Sequence, residues 1–75
     1  MSSYRITNKD GTYDDFIADN ELVALIEYFK FVAGSNDTDF ISYLSGINDL
    51  SDAVDEVNDY FENINNIIDI NKINA

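Results

Sequence analysis

The stretch SYRITNKDGTYDDF, residues 3–16, decides whether the chain is all-helical or mixed. Tyr4 and Ile6 alternate with Arg5 and Thr7, the two-residue period of a half-buried strand. Asn8, Lys9, Asp10 and Gly11 follow with turn chemistry, and Gly11 suits the left-handed position of a short hairpin loop. Thr12 to Ile17 then reads as the returning antiparallel strand. A lone hairpin is marginal in water, so this one must pack on something.

The next segment, DNELVALIEYFKFVAGS (19–35), supplies it. Leu22, Leu25, Ile26, Phe29 and Val32 recur at helical spacing and form one apolar stripe. Asp19 or Asn20 is the candidate cap, Glu21 suits the first turn, and Gly34 ends the helix. NDTDFISYLSG (36–46) reads as a short second helix capped by Asp37 or Thr38 and closed by Gly46, with Phe40, Ile41 and Leu44 facing inward. So short a helix must lean on the rest.

In the third helix Leu50, Val54, Val57, Phe61, Ile64 and Ile68 step by alternating fours and threes. That is a heptad-like seam, widened by Ala53, Tyr60 and Ile67, with Ser51 or Asn48 as candidate cap. Beyond Ile64 the text NNIIDINKINA is poor helix material, because asparagine and β-branched residues are weak formers. Two readings stay open there: the end frays, or Ile68 and Ile70 begin a short strand against the hairpin. The expected fold is α+β, one small acidic domain over residues 1–75. Its N-terminal β-hairpin packs on a three-helix unit, with a short C-terminal strand as the second reading of residues 66–75.

A chain of 75 residues sits near the lower end of what folds unaided. It has no cysteine and no histidine, which removes disulfides, thiolate metal sites and the commonest general base. Its 45% apolar and 13% aromatic content is too high for a disordered acidic tail. Fifteen acids against four bases give a net charge of −11. Such a charge repels nucleic acid and anionic membranes and favours basic protein partners. The N-terminus lacks a basic segment followed by an apolar one, and no long apolar run occurs, so a cytoplasmic protein is expected.

The negative charge is concentrated. LSDAVDEVNDYFEN (50–63) carries five acids, and no lysine or arginine occurs between Phe31 and Asn71. At about 100° per residue, Asp52, Asp55, Glu56, Asp59 and Glu62 gather opposite the apolar seam. Ordinary exposed helix faces mix signs, since opposite pairs one turn apart stabilise and like pairs destabilise. Here the neighbours are all alike: Asp52 with Asp55 and Glu56, Asp55 with Asp59, Glu56 with Asp59, and Asp59 with Glu62. A face of acids also keeps a small protein soluble. The linear spacing, about one charge per 3–4 Å, is close to the phosphate spacing of ~3.4 Å along one DNA strand. A Lys/Arg-lined groove would accept such a face through the contacts it makes to phosphate.

Several functions are set aside. Placing Gly11 at the sixth position of a calcium loop puts Ile6 and Ile17 at the two anchoring positions, where ligands are needed. Weak, nonspecific divalent binding is all the acids then offer, and no cofactor or structural metal is expected. No hydrolytic triad, phosphate loop or dinucleotide glycine pattern is present, so an enzyme is not expected. Acyl carrier proteins are similarly small and acidic, but they carry an Asp-Ser-Leu attachment site. Ser51 lies between Leu50 and Asp52. In size and charge alone the chain resembles phage-encoded inhibitors of restriction or CRISPR nucleases, and acidic immunity proteins that block basic nuclease toxins. That resemblance assigns no residue a role.

The expected function is therefore a small acidic inhibitor that blocks a basic nucleic-acid-binding protein by presenting a DNA-mimicking carboxylate face. The candidate contact residues are Asp49, Asp52, Asp55, Glu56, Asp59 and Glu62, with Asp37 and Asp39 extending the patch if the short helix folds beside it. Tyr43 and Tyr60 are candidate anchors if they lie at its edge. The alternatives are an immunity or antitoxin partner of a basic toxin, and a homo-oligomeric assembly protein using the isoleucine-rich C-terminus. The chain would act as monomer or homodimer.

Overall fold

A computed structural model of the chain describes residues 1–34 and 37–73. Asn74 and Ala75, the end of the segment with two readings, lie outside the described residues. The first strand, β1 (Ser2–Asn8), pairs antiparallel with β2 (Tyr13–Ala18), placing Tyr4 opposite Phe16 and Ile6 opposite Asp14. The loop closes where the Asn8 N–H donates to the Thr12 carbonyl at 2.8 Å, with Gly11 at φ 88°. Asp10 Oδ1 accepts from the Thr12 hydroxyl at 2.6 Å and from its N–H at 2.9 Å. These bonds, the hydroxyl first, hold the Asp10 carboxyl below the usual carboxylate range.

Helix α1 (Glu21–Ala33) starts where Asn20 Oδ1 accepts from the Val23 N–H at 2.9 Å. It ends at Gly34, whose φ of 66° is left-handed and whose N–H reaches the Lys30 carbonyl at 3.1 Å. The helix packs against all three strands on one side and against two further helices on the other. Tyr28 faces the sheet. Its hydroxyl donates to the buried Asn8 Oδ1 at 2.9 Å, and its ring meets Phe16 edge-on at 6.2 Å. Phe29 faces the other helices. This two-sided packing explains why Ala24 and Tyr28 are buried although the apolar stripe omits them. Val32 corrects the expected stripe: it sits on the last turn, past the packed partners, and remains 45% exposed beside Phe61 and Ile64.

Helix α2 (Thr38–Ser45) is capped by Asp37, which accepts from the Phe40 N–H at 3.1 Å. Leu44 is fully buried, while Phe40 and Ile41 are half-buried against the core. Helix α3 (Leu50–Tyr60) is capped by Asp49, accepting from the Ser51 N–H at 2.9 Å, and not by Ser51 or Asn48 as expected. An aspartate directly before the first turn satisfies a free N–H with a full charge at the positive end of the helix, which outcompetes its neighbours.

The seam read through Ile68 stops near Phe61. Glu62 and Asn63 take left-handed φ values of 58° and 56°, and the Asn63 N–H closes on the Asn58 carbonyl at 2.9 Å. Ile64 and Ile68 consequently stand 75% and 64% exposed. The chain then forms strand β3 (Ile67–Ile73), antiparallel to β1 with Ile70 opposite Ile6. Of the two readings, the strand holds. Sheet order is β2-β1-β3, so the first strand is the central one. A bulge interrupts the β1–β3 ladder between Thr7 and Asn8.

Strand β3 is tied to α3 by one side chain. Buried Asn58 accepts from the Ile67 N–H through Oδ1 at 2.8 Å and donates to the Ile67 carbonyl through Nδ2 at 3.3 Å. The amide thus acts as a one-residue strand. The fully buried side chains Ile6, Leu25, Phe29, Leu44 and Val57 come from β1 and the three helices, and buried Ala18 and Ile67 join β2 and β3 to the same core. The expected α+β fold is the observed one. Among the described residues no helix is long and apolar enough to cross a membrane.

Candidate functional site

Helix α3 carries the charge as the spacing implies, with one correction. Asp52, Asp55 and Asp59 are exposed and Glu56 is half-buried, all four on the outer surface of the helix. Glu62 lies beyond the helix end with a left-handed backbone, so it does not continue that face, and Asp59 and Glu62 are not neighbours on a helical turn. The remaining four acids span seven residue steps, about 10 Å of helix, or one charge per about 3.5 Å. The comparison with phosphate spacing therefore survives the loss of Glu62.

The two ends of the ridge differ. At the N-terminal end the Asp49 carboxylate caps the helix and is partly committed to that role. At the C-terminal end Asp59 Oδ1 accepts from Asn63 Nδ2 at 3.2 Å. There the start of α2 meets the end of α3, which brings Asp37 to the end of the ridge. The Tyr60 hydroxyl donates to Asp37 Oδ2 at 3.3 Å, and the Phe40 and Tyr60 rings lie 4.7 Å apart. Asp39 is exposed in the first turn of α2.

Both candidate anchors are available to a partner. Tyr43 is 54% exposed and Tyr60 41%, each with its ring tilted against Phe40. Partial burial of the ring, and then the Asp37 carboxylate beside it, raise the Tyr60 phenol above its ordinary pKa. It stays a neutral hydrogen-bond donor. An exposed aromatic with fixed geometry and a polar tip is the type of side chain that dominates protein interfaces.

No base answers this surface. Among the described residues the ion pairs are Arg5 with Asp15, at 2.9 Å, and Lys30 with Glu27, at 3.5 Å. Both lie on the sheet or α1. Arg5 also stacks over the Tyr13 ring at 3.9 Å, and its paired guanidinium holds the Asp15 carboxyl below the usual range. Among the described residues no cluster of three or more ligating side chains could hold a metal ion.

The unpaired ridge has a measurable consequence. Like charges on α2 and α3 repel in the folded state more than in the expanded one, and salt screens that repulsion. The melting temperature should rise by roughly 5 °C between about 10 mM and about 500 mM sodium chloride. A melting temperature that does not change with salt would show that the ridge carries no net repulsion.

Sequence reading missed the opposite margin of the ridge. Leu50, Ser51, Val54 and Asp55 of α3 face Ile67, Ile68, Asp69 and Ile70 of β3 across an open groove of about 320 Å³. Helix and strand meet at the Asn58–Ile67 hydrogen bonds and diverge from there. Asn58 gave no signal of this in the text, since one asparagine in a helix is ordinary and its partner lies across an unread turn. The Ile68–Ile70 strand reading was the one available pointer. No protein family, curated protein or solved structure matches the chain.

Proposed function

We propose that the protein is a stoichiometric inhibitor whose α3 ridge occupies the nucleic-acid channel of a basic target, in the manner of phage anti-restriction or anti-CRISPR proteins. One observation carries the reading. Asp52, Asp55, Glu56 and Asp59 form a single-signed ridge without an ion pair among the described residues, at about the linear charge density of one DNA strand. Tyr43, Tyr60 and Asp37 at its end support it by adding aromatic contact area to the charge. Charge sets a fast, salt-sensitive approach, and the tyrosines set how long the complex lasts. The site of action is the cytoplasm of a bacterial host, where such targets work.

The test is capture followed by competition. Immobilised protein is exposed to a nuclease-treated bacterial lysate and washed with short duplex DNA. The expected result is a nucleic-acid-binding enzyme released by the DNA, with association slowed about ten-fold or more in the combined variant Asp52→Asn, Asp55→Asn, Asp59→Asn. A partner retained despite excess duplex, or captured equally by the variant, would sink the mimicry reading. The first outcome would instead favour an immunity-type pair.

A further inference from the structure

We propose that the groove between α3 and β3 receives an extended, basic segment of the partner, which adds a strand to the free edge of β3. This rests on the reading above that the partner is basic, and it names how that partner is held. Strand β3 is an edge of the sheet. At the end of β1 the Asn8 N–H bonds to Thr12 on the β2 side, and that of the following residue, Lys9, bonds to Asn66 on the β3 side, so successive residues serve alternate neighbours. Within β3, Asp69 and Asn71 therefore bond toward β1, opposite Thr7 and Arg5, and the peptide groups of Ile70 point to the open edge.

That edge is already used once, by a side chain. The Asn58 amide satisfies both Ile67 peptide groups as a strand would, which shows that the edge accepts strand-like pairing from the α3 side. Beyond Ile67 the helix diverges and the place is open. Its floor is apolar, with Leu50, Val54 and Ile70 half-buried, and Ile68 stands 64% exposed at the rim. Backbone bonds from an added strand supply affinity, and an alternate side chain entering the groove supplies specificity.

Charge selects the occupant. Asp55 on one wall and Asp69 on the other border the groove, and Asp55 is also the margin of the acidic ridge. A strand alternating apolar with Lys or Arg residues would seat the former on Leu50 and Val54 and the latter against Asp55 and Asp69. A second copy of this chain, itself carrying −11, is disfavoured by the same charges. Lys72 limits the pairing to the Ile68–Ile70 portion of the edge, because it would repel a basic strand running further.

The test uses the full chain and a blocked synthetic peptide alternating lysine and valine, followed by amide NMR and hydrogen exchange. The expected result is weak binding, with a Kd on the order of 1 mM, that shifts the Ile68 and Ile70 amides and slows exchange at Ile70 by about ten-fold. The same peptide N-methylated at alternate amides should lose this protection, and so should Ser51→Arg, an exposed change at the groove wall. Shifts confined to Asp52, Glu56 and Asp59 would overturn strand addition while leaving the acidic-ridge reading in place. Shifts at the groove with an alternating glutamate and valine peptide would overturn the choice of a basic occupant. Protection of Ile70 that rises with protein concentration alone would overturn it in favour of a homodimer.

Discussion

Replacing Phe29 with alanine should lower the stability by about 3–5 kcal/mol, much of what a chain of this length holds. Phe29 is fully buried, and its ring lies 4.8 Å from Phe40, 4.8 Å from Tyr60 and 5.8 Å from Phe61. It is the point at which α1 grips α2 and the end of α3 together. Removing it takes away both the transfer free energy of the ring and the contacts of three aromatic neighbours that cannot all collapse into the gap. Domains this small lose about 4–8 °C of melting temperature per kcal/mol, so the melt followed by circular dichroism should fall by about 15 °C or more. Phe29→Leu keeps most of the volume and should cost less than half as much. A loss below about 1 kcal/mol for the alanine variant would show that the helices do not depend on this contact.

The second large effect is expected at Asn58. Asn58→Leu keeps the branched shape with somewhat more bulk but strips both hydrogen bonds from Ile67, leaving a buried N–H and a buried carbonyl without partners. Orphaned buried peptide groups cost about 1–3 kcal/mol each, and the more favourable burial of leucine offsets part of that, so a net loss of about 2–4 kcal/mol is expected. The loss should be local before it is global. Amide exchange at Ile67 and along β3 should accelerate first, while β1 and β2 keep their protection. Asn63→Gly is the control: among the described residues its amide bonds the exposed Asp59, glycine suits the left-handed backbone there, and the change should stay within about 1 kcal/mol. If Asn58→Leu were as stable as the parent, the amide would be a bystander and the attachment of β3 would have to come from the β1 ladder alone.

Those two positions also separate what local pattern can announce from what it cannot. The hairpin and α1 are written in short-range terms: alternation at Tyr4 and Ile6, glycine at Gly11 and Gly34, and a cap at Asn20. Local chemistry and final structure agree there because no distant partner has to arbitrate. The end of α3 is different. Ile64, Ile67 and Ile68 fit a helical seam, while Ile68 and Ile70 fit a strand, and both patterns share the same letters. What decides is the empty side of β1, which offers Ile6 as a partner for Ile70 and is invisible in a linear reading. Once β3 takes that place, Glu62 and Asn63 must reverse the chain, and Glu62 leaves the acidic face for that reason.

The candidate site was legible to the same extent. Three-to-four spacing found Asp52, Asp55, Glu56 and Asp59 because the ridge is a property of one helix. The closeness of Asp37 to Tyr60 could be stated only conditionally, since it depends on how α2 turns into α3. The groove could not be read at all, because its walls are separated by a turn whose direction only β1 determines.

The strand order has a consequence in time. Because β1 lies in the middle of the sheet, one of its sides is served by the hairpin within a few residues, while the other waits for Ile67–Ile73. In folding, β1 is thus the last strand to be completed. Closing a loop of that length is slow compared with hairpin or helix formation. Folding therefore passes through a stage in which three helices and the hairpin exist while the β3 side of β1 is still unpaired. The sheet is finished only when Ile67–Ile73 docks on the open side of β1, so the central strand stays half-served until its most distant partner in the chain arrives.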